Sequence, residues 1–324
     1  MKDHVPADVG RPPGSSVPYH PHAPGTAGTG LLNVIDRDAV VRWYASNARD
    51  LPWRSPDRTP WGVLVSEVML QQTPVARVLP VWRTWLDRWP VPAALAAEPP
   101  AEAIRAWGRL GYPRRALRLH AASAAVVERH GGGVPARYED LRALPGVGDY
   151  TAAAVASFAF GQRHVVLDTN VRRVLARAVT GRPVAAASTT AAERALARSV
   201  LPVDGAPRWS VAVMELGALV CTARSPRCAE CPIVAGCAWR LAGAPGHDGP
   251  SRRSQRWAGT DRQARGRLMA ALRAAPGPVS SAELDLAWPD DPMQRQRALD
   301  GLVADGLVEP VSATSFRLPM TSTK

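Results

Sequence analysis

The chain has 324 residues, 46% of them hydrophobic, with a formal net charge of +12 and a pI near 10.6. That length admits two domains and a sizeable core, and no apolar run is long enough for a membrane span or a secretory signal, so a cytosolic chain with no membrane partner is expected. The basic excess points to a polyanion, nucleic acid being the commonest, rather than a merely solvated surface, and with Lys2 and Lys324 the only lysines among 40 Lys and Arg, an interior amine nucleophile is excluded.

Residues 1–30, crowded with Pro, Gly and His and without periodicity, read as a disordered tail. From Leu31 to Leu241 the pattern is helical almost throughout, with no convincing strand and no repeat. Helices are predicted over 38–48 and over 61–73, "WGVLVSEVMLQQT", which is apolar nearly all round and so buried. Further helices are predicted over 101–110, 115–130, 151–160, 171–179 and 209–221, with Gly and Pro in the gaps. Residues 242–259 read as a polar linker. Residues 260–319 follow, with helices predicted over 261–275, 281–288 and 291–306 and extended pieces at 307–311 and 315–319. Three helices and a two-stranded wing make a winged-helix-like module. Arg295 and Arg297 are its candidate DNA contacts; a protein partner or simple packing are the alternatives.

All four cysteines, Cys221, Cys228, Cys231 and Cys237, fall in one loop spaced C-x6-C-x2-C-x5-C. Four thiols so close in sequence, in a reducing compartment, suggest one metal site. Thiolate ligation suits zinc or an iron–sulfur cluster, and the wide spacing with a single CxxC pair favours the bulkier cubane. Upstream, "LPGVGDYT" places Gly146, Val147 and Gly148 in a tight turn before a helix start, where backbone N–H groups and the helix dipole would cradle a DNA phosphate. Glu67 sits inside the apolar helix with Val63, Leu64, Leu70 and Gln71 as its helical neighbours. Loss of solvation should raise its pKa and suit it to general acid work near neutrality. Asp168, between "HVVL" and "TNVRRVLARAV", is a helix N-cap and a candidate fixed negative charge. One raised acid beside one ionised carboxylate is a pair that breaks glycosidic bonds.

Taken together, "LPWR" (51–54), "SEVMLQQTPV" (66–75), "LGY" (110–112), "LPGVGDYTA" (144–152), "LDTNVRRV" (167–174) and the cysteine loop resemble the adenine DNA glycosylases, base-excision repair enzymes of the helix–hairpin–helix superfamily. The resemblance spans about residues 31–241. It implies an all-α, two-lobed glycosylase fold, with a hairpin lobe at about 61–163 and a cluster lobe from 31–60 plus 164–241, and excision of adenine opposite 8-oxoguanine or guanine in double-stranded DNA by a monomer. It also implies a 4Fe–4S cluster on the four cysteines. By motif, Glu67 matches the acid that protonates the leaving base, Asp168 the carboxylate that stabilises the oxocarbenium-like sugar, and Tyr150 the position where bifunctional relatives carry a Schiff-base lysine. Arg54 and Glu215 match positions near the extruded adenine, Gln72 and Tyr112 match residues that wedge into the duplex, and Asn170 matches a support for the Asp168 loop. Pro113 departs from the family, which usually has a second tyrosine there, and 260–319 is shorter and more helical than the Nudix-related domain many members carry. A bifunctional glycosylase/lyase and a non-enzymatic iron–sulfur DNA-binding regulator are the alternative readings.

Overall fold

The computed structural model describes residues 35–247 and 257–321. The expected tail over 1–30 and part of the expected linker, 248–256, lie outside the described residues. Two hydrophobic cores organise the helical region that precedes the linker. The first is built from α2 (Pro60–Met69), α3 (Val75–Arg88), α4 (Pro92–Ala96), α5 (Pro100–Trp107), α6 (Arg114–His130), α7 (Tyr138–Arg142) and α8 (Asp149–Phe160). The second joins α1 (Arg37–Asn47) to α9 (Thr169–Ala178), α10 (Ala191–Val200), α11 (Ala206–Leu219) and α12 (Ala238–Leu241), with the cysteine loop between the last two.

The central α2 is buried at every residue from Trp61 to Met69 and packs against α8, α3 and α6. Pro60 at its first position and Thr59, whose Oγ1 accepts the Gly62 N–H at 3.0 Å, start it. It stops sooner than its apolar pattern predicts. Residues 70–73 form a turn, because Gln72 takes the left-handed conformation at φ 54°. Trp85 meets Trp89 and Trp107 edge-on at ring-centroid distances of 4.7 and 5.8 Å, filling the volume between α3 and α5.

The C-terminal module has α13 (Asp261–Ala274), α14 (Ser281–Ala287) and α15 (Pro292–Ala304), as the sequence predicts. Its wing has three strands rather than two: β1 (Val279–Ser280) joins β2 (Glu309–Ser312) and β3 (Ser315–Arg317) in the antiparallel order β1-β3-β2. The module's core residues Leu268, Met269 and Leu272 are continuous with the first core. The Ala101 N–H donates to the Pro319 carbonyl at 2.9 Å, and Arg105 Nη2 to the Ala275 carbonyl at 2.9 Å, tying the module to α5. Arg295 and Arg297 do not face a ligand unopposed. Arg295 pairs with Asp285 at 2.7 Å and donates to the Trp288 carbonyl at 2.8 Å, and Arg297 lies 3.6 Å from Asp261.

Candidate active site

A cleft of about 1000 Å³ opens between the two cores, and Glu67, Tyr150, Asp168, Asn170, Arg54 and Gln72 all line it. Glu67, near the C-terminal end of α2, is only 6% exposed. Burial pushes its carboxyl up to about 7, the charge of Asp168 pushes the same way, and the Tyr150 hydroxyl and the Arg54 charge pull against them. Tyr150, in the first turn of α8, lines the cleft together with Glu67; burial first, then the two carboxylates, raise it well above the ordinary phenol value. It is therefore a neutral donor.

Asp168 is the N-cap of α9. One carboxylate oxygen accepts the Val171 N–H at 2.6 Å, and the other accepts Asn170 Nδ2 at 2.7 Å. Burial prevails and leaves this carboxyl above its ordinary value, while both bonds and the Arg173 charge limit the rise. The two acids thus differ by their donors: Asp168 is furnished for the ionised state, Glu67 for the protonated one. Asn170 accepts from Arg173 Nη2 at 2.7 Å, and Arg173 also donates to the Gly217 carbonyl at 2.7 Å. Gly217 is required there, since a Cβ would stand 2.7 Å from that of Asn170.

Glu215 has a fully buried side chain and stands behind the cleft wall rather than in it. Arg49 Nε and Nη2 grip its two oxygens at 2.7 Å each, the Arg49 N–H adds a bond at 3.0 Å, and Arg54 Nη1 binds at 2.8 Å. Burial alone would raise the Glu215 carboxyl; the two guanidinium groups reverse that and bring it to about 2. Arg49, which sequence reasoning missed, lines the cleft with Arg54. Its partner is 166 residues away, and no local pattern marks it.

Gln72 and Tyr112, the expected wedge residues, both have left-handed backbones, at φ 54° and 50°, a strained state for such side chains. One buried residue, also missed from sequence, holds both turns. Arg115 Nη1 donates to the carbonyls of Val68, Met69 and Gln71 at 2.9, 3.0 and 2.6 Å, and Nη2 reaches Thr73 Oγ1 at 2.9 Å and the Gly111 carbonyl at 3.1 Å. Burial lowers its pKa to about 10, still far above neutrality.

The hairpin joins α7 to α8. Gly146 has φ 75°, and a Cβ there would fall 2.6 Å from that of Arg118. Val147 does not offer its N–H as expected: it bonds to the Leu144 carbonyl at 3.1 Å. The N–H groups of Gly146 and Gly148 have no such partner among the described residues, and α8 begins directly after them.

In the cysteine loop, Cys237 is buried and the other three are half-buried. Arg177 of α9 donates to Cys221 Sγ at 3.5 Å and stacks on Trp239 at 4.8 Å. Burial, reinforced by the other three thiols, raises Cys231 to about 11, so four thiolates here need a compensating cation. Four thiols on one loop, one buried and three half-buried, form a thiolate-only donor set that suits an iron–sulfur cubane.

A buried acid–carboxylate pair, a glycine hairpin opening onto a helix and a four-cysteine loop on two helical lobes define a helix–hairpin–helix DNA N-glycosylase of base-excision repair. Residues 65–199 match the family described as HhH-GPD superfamily base excision DNA repair protein, and residues 221–237 match the iron-sulfur binding domain of endonuclease III. An adenine DNA glycosylase of Mycobacterium tuberculosis is 54% identical over 301 residues, 92% of this chain and 98% of the relative. A thermostable thymine-DNA glycosylase structure aligns with a TM-score of 0.57 at 25% identity, covering 64% of this chain and 95% of that one. An endonuclease III–DNA complex aligns at 0.54 and 25%, covering 64% and 94%. The chain belongs to the adenine DNA glycosylase family. Its substrate is DNA, and a 4Fe–4S cluster is its cofactor.

Proposed function

We propose that the chain is a monofunctional glycosylase that hydrolyses adenine from DNA where it is mispaired with 8-oxoguanine or guanine, acting as a monomer in the bacterial cytosol. The observation that carries this reading is the buried Glu67 carboxyl, at about 7, in one cleft with an Asp168 carboxylate that accepts a hydrogen bond on each oxygen. The target nucleotide leaves the stack and enters the cleft. Glu67 gives its proton to a ring nitrogen of the extruded base. The glycosidic bond breaks, its electron pair leaves with the neutral base, and the Asp168 carboxylate faces the positive sugar carbon. Water then adds to that carbon and returns a proton to Glu67. General acid assistance of this kind is worth about 10²–10⁴-fold. Tyr150 supplies a hydroxyl and no amine, so no Schiff base forms and the strand stays uncut. Arg49 and Arg54, clamped by Glu215, shape the wall against the base, and Gln72 and Tyr112 fill the gap it leaves. Gly146 and Gly148 hold a backbone phosphate. Cys221, Cys228, Cys231 and Cys237 hold the cluster, which braces the loop after α11.

Duplexes with adenine opposite 8-oxoguanine, guanine, thymine or cytosine test the reading. Abasic sites are expected from the first two alone, with strand breaks only after alkali. Breaks without alkali would mark a lyase, and binding without base release would mark a regulator. Asp168→Asn keeps a capping oxygen while removing the charge. It should leave the melting temperature within a few degrees and lower single-turnover excision at least 100-fold (about 2.7 kcal/mol).

A further inference from the structure

Gln72 and Tyr112 lie on separate loops, and both are exposed and left-handed in backbone. Such a φ persists in a residue other than glycine only where its surroundings fix it. The peptide group before a residue is planar and turns with that residue's φ, so whatever holds its carbonyl sets φ. For Gln72 that carbonyl is on Gln71, and for Tyr112 it is on Gly111. Arg115, near the start of α6 and 6% exposed, donates to both: Nη1 to Gln71 at 2.6 Å and Nη2 to Gly111 at 3.1 Å. Thr73 Oγ1 also donates to the Gln71 carbonyl at 3.3 Å, and Trp107 Nε1 to the Gly111 carbonyl at 2.9 Å, but each of these serves one loop. Among the described residues, Arg115 is the side chain that spans the two. Its guanidinium also lies 5.4 Å from the centre of the Tyr112 ring and 5.2 Å from that of Trp107.

The Arg115 Nε has no partner among the described residues, so the fork is placed by the two loops and the flanking rings. Burying a guanidinium among neutral carbonyls is costly, and an apolar side chain would fill the space without that cost. What the guanidinium adds is geometry: a rigid plane whose two terminal nitrogens stand at a fixed spacing. We infer that Arg115 is a positioning residue that couples Gln72 to Tyr112, so that the two enter the duplex as one unit when the target base leaves it. The inference rests on the proposed function only in taking Gln72 and Tyr112 to fill the gap beside an extruded base.

Stopped-flow fluorescence of a 2-aminopurine placed next to the target adenine in a mispaired duplex tests this. Full-length protein carrying Glu67→Gln serves as the parent, so that extrusion is read whether or not a bond breaks. Gln72→Ala and Tyr112→Ala should each slow extrusion about tenfold, and together still about tenfold rather than a hundredfold, because losing either residue disables the unit. Arg115→Lys keeps the charge and loses the fork. In that background extrusion should already be about tenfold slower, and the effects of the two loop substitutions should now multiply. Leu119→Ala, 1% exposed on the same helix, should lower the melting temperature and leave the coupling intact. If Arg115→Lys does not fold, Arg115→Gln takes its place. Loop substitutions that multiply in the parent would overturn the inference without any Arg115 variant, and so would coupling that survives the loss of the fork. Wild-type protein that releases no adenine, with the coupling present and lost in Arg115→Lys, would refute the proposed function and leave the role of Arg115 standing. Normal adenine release with no coupling would do the reverse.

Discussion

Glu67 couples catalysis to stability with opposite signs. Its carboxyl is at about 7 in the folded protein against 4.5 ordinarily, so the fold binds its proton more tightly than the unfolded chain does. The Glu67 contribution to stability is therefore fully present below about 4.5 and falls as pH rises toward 7, by roughly 1.4 kcal/mol per unit, or about 3 kcal/mol in all. Glu215 has the opposite slope: held at about 2, it stabilises above the ordinary carboxyl value and loses that contribution as pH falls through 4.5 toward 2. Glu67→Gln removes the burden of a buried charge along with the acid. The variant should lose base release by about 10²–10⁴-fold and yet melt higher than wild type at pH 8, with the gap closing by pH 4.5. Thermal melts across that range, with single-turnover excision at each pH, check both halves. Wild-type excision should itself decline above pH 7, where the acid has lost its proton. Both acids could be read from sequence, because each rests on a local signal: a carboxyl in an apolar helix, and an aspartate opening one. Arg49, Arg115 and Gly217 could not, because each acts on a partner brought near only by the fold.

The hairpin shows what one element demands of two glycines that look alike in sequence. Gly146 has a left-handed backbone and lies against α6, whereas Gly148 has φ −93° and open space where a Cβ would go. Gly146→Ala should destabilise by about 1–3 kcal/mol through strain and the clash with Arg118. Gly148→Ala should leave stability within about 0.5 kcal/mol and weaken duplex binding several-fold, since its methyl would stand beside the free N–H groups. Melting temperature and duplex anisotropy separate the two effects. The same limit of local reading recurs in other elements. Helix α3 escaped prediction because Pro80 sits inside it, where a proline ordinarily removes a backbone bond. The end of α2 was overshot because "QQT" continues the helical composition. What halts the helix is Gln72, in a turn whose carbonyls Arg115 holds from 44 or more residues away.

At the scale of the whole molecule, the sequence pattern sets the C-terminal module apart behind a polar linker, whereas packing unites it with the first lobe. Leu268 and Leu272 are at most 1% exposed and belong to the same continuous core as α2, α5 and α6. Periodicity marks them as an inward face but cannot say which neighbour that face meets. A module that shared only a tether with the lobe would melt by itself; one that shares a core should melt with it. Calorimetry of the full chain should therefore show the lobe and the module unfolding in one transition. Leu272→Ala, deep in the module, should cost about 2–5 kcal/mol and lower that common transition. Arg114→Ala, which cuts the exposed ion pair between α6 and Asp305 at the end of α15, should move it by less than about 1 kcal/mol, because burial rather than charge joins the two parts. Two separate transitions, with Leu272→Ala shifting only the smaller, would show that the module docks loosely.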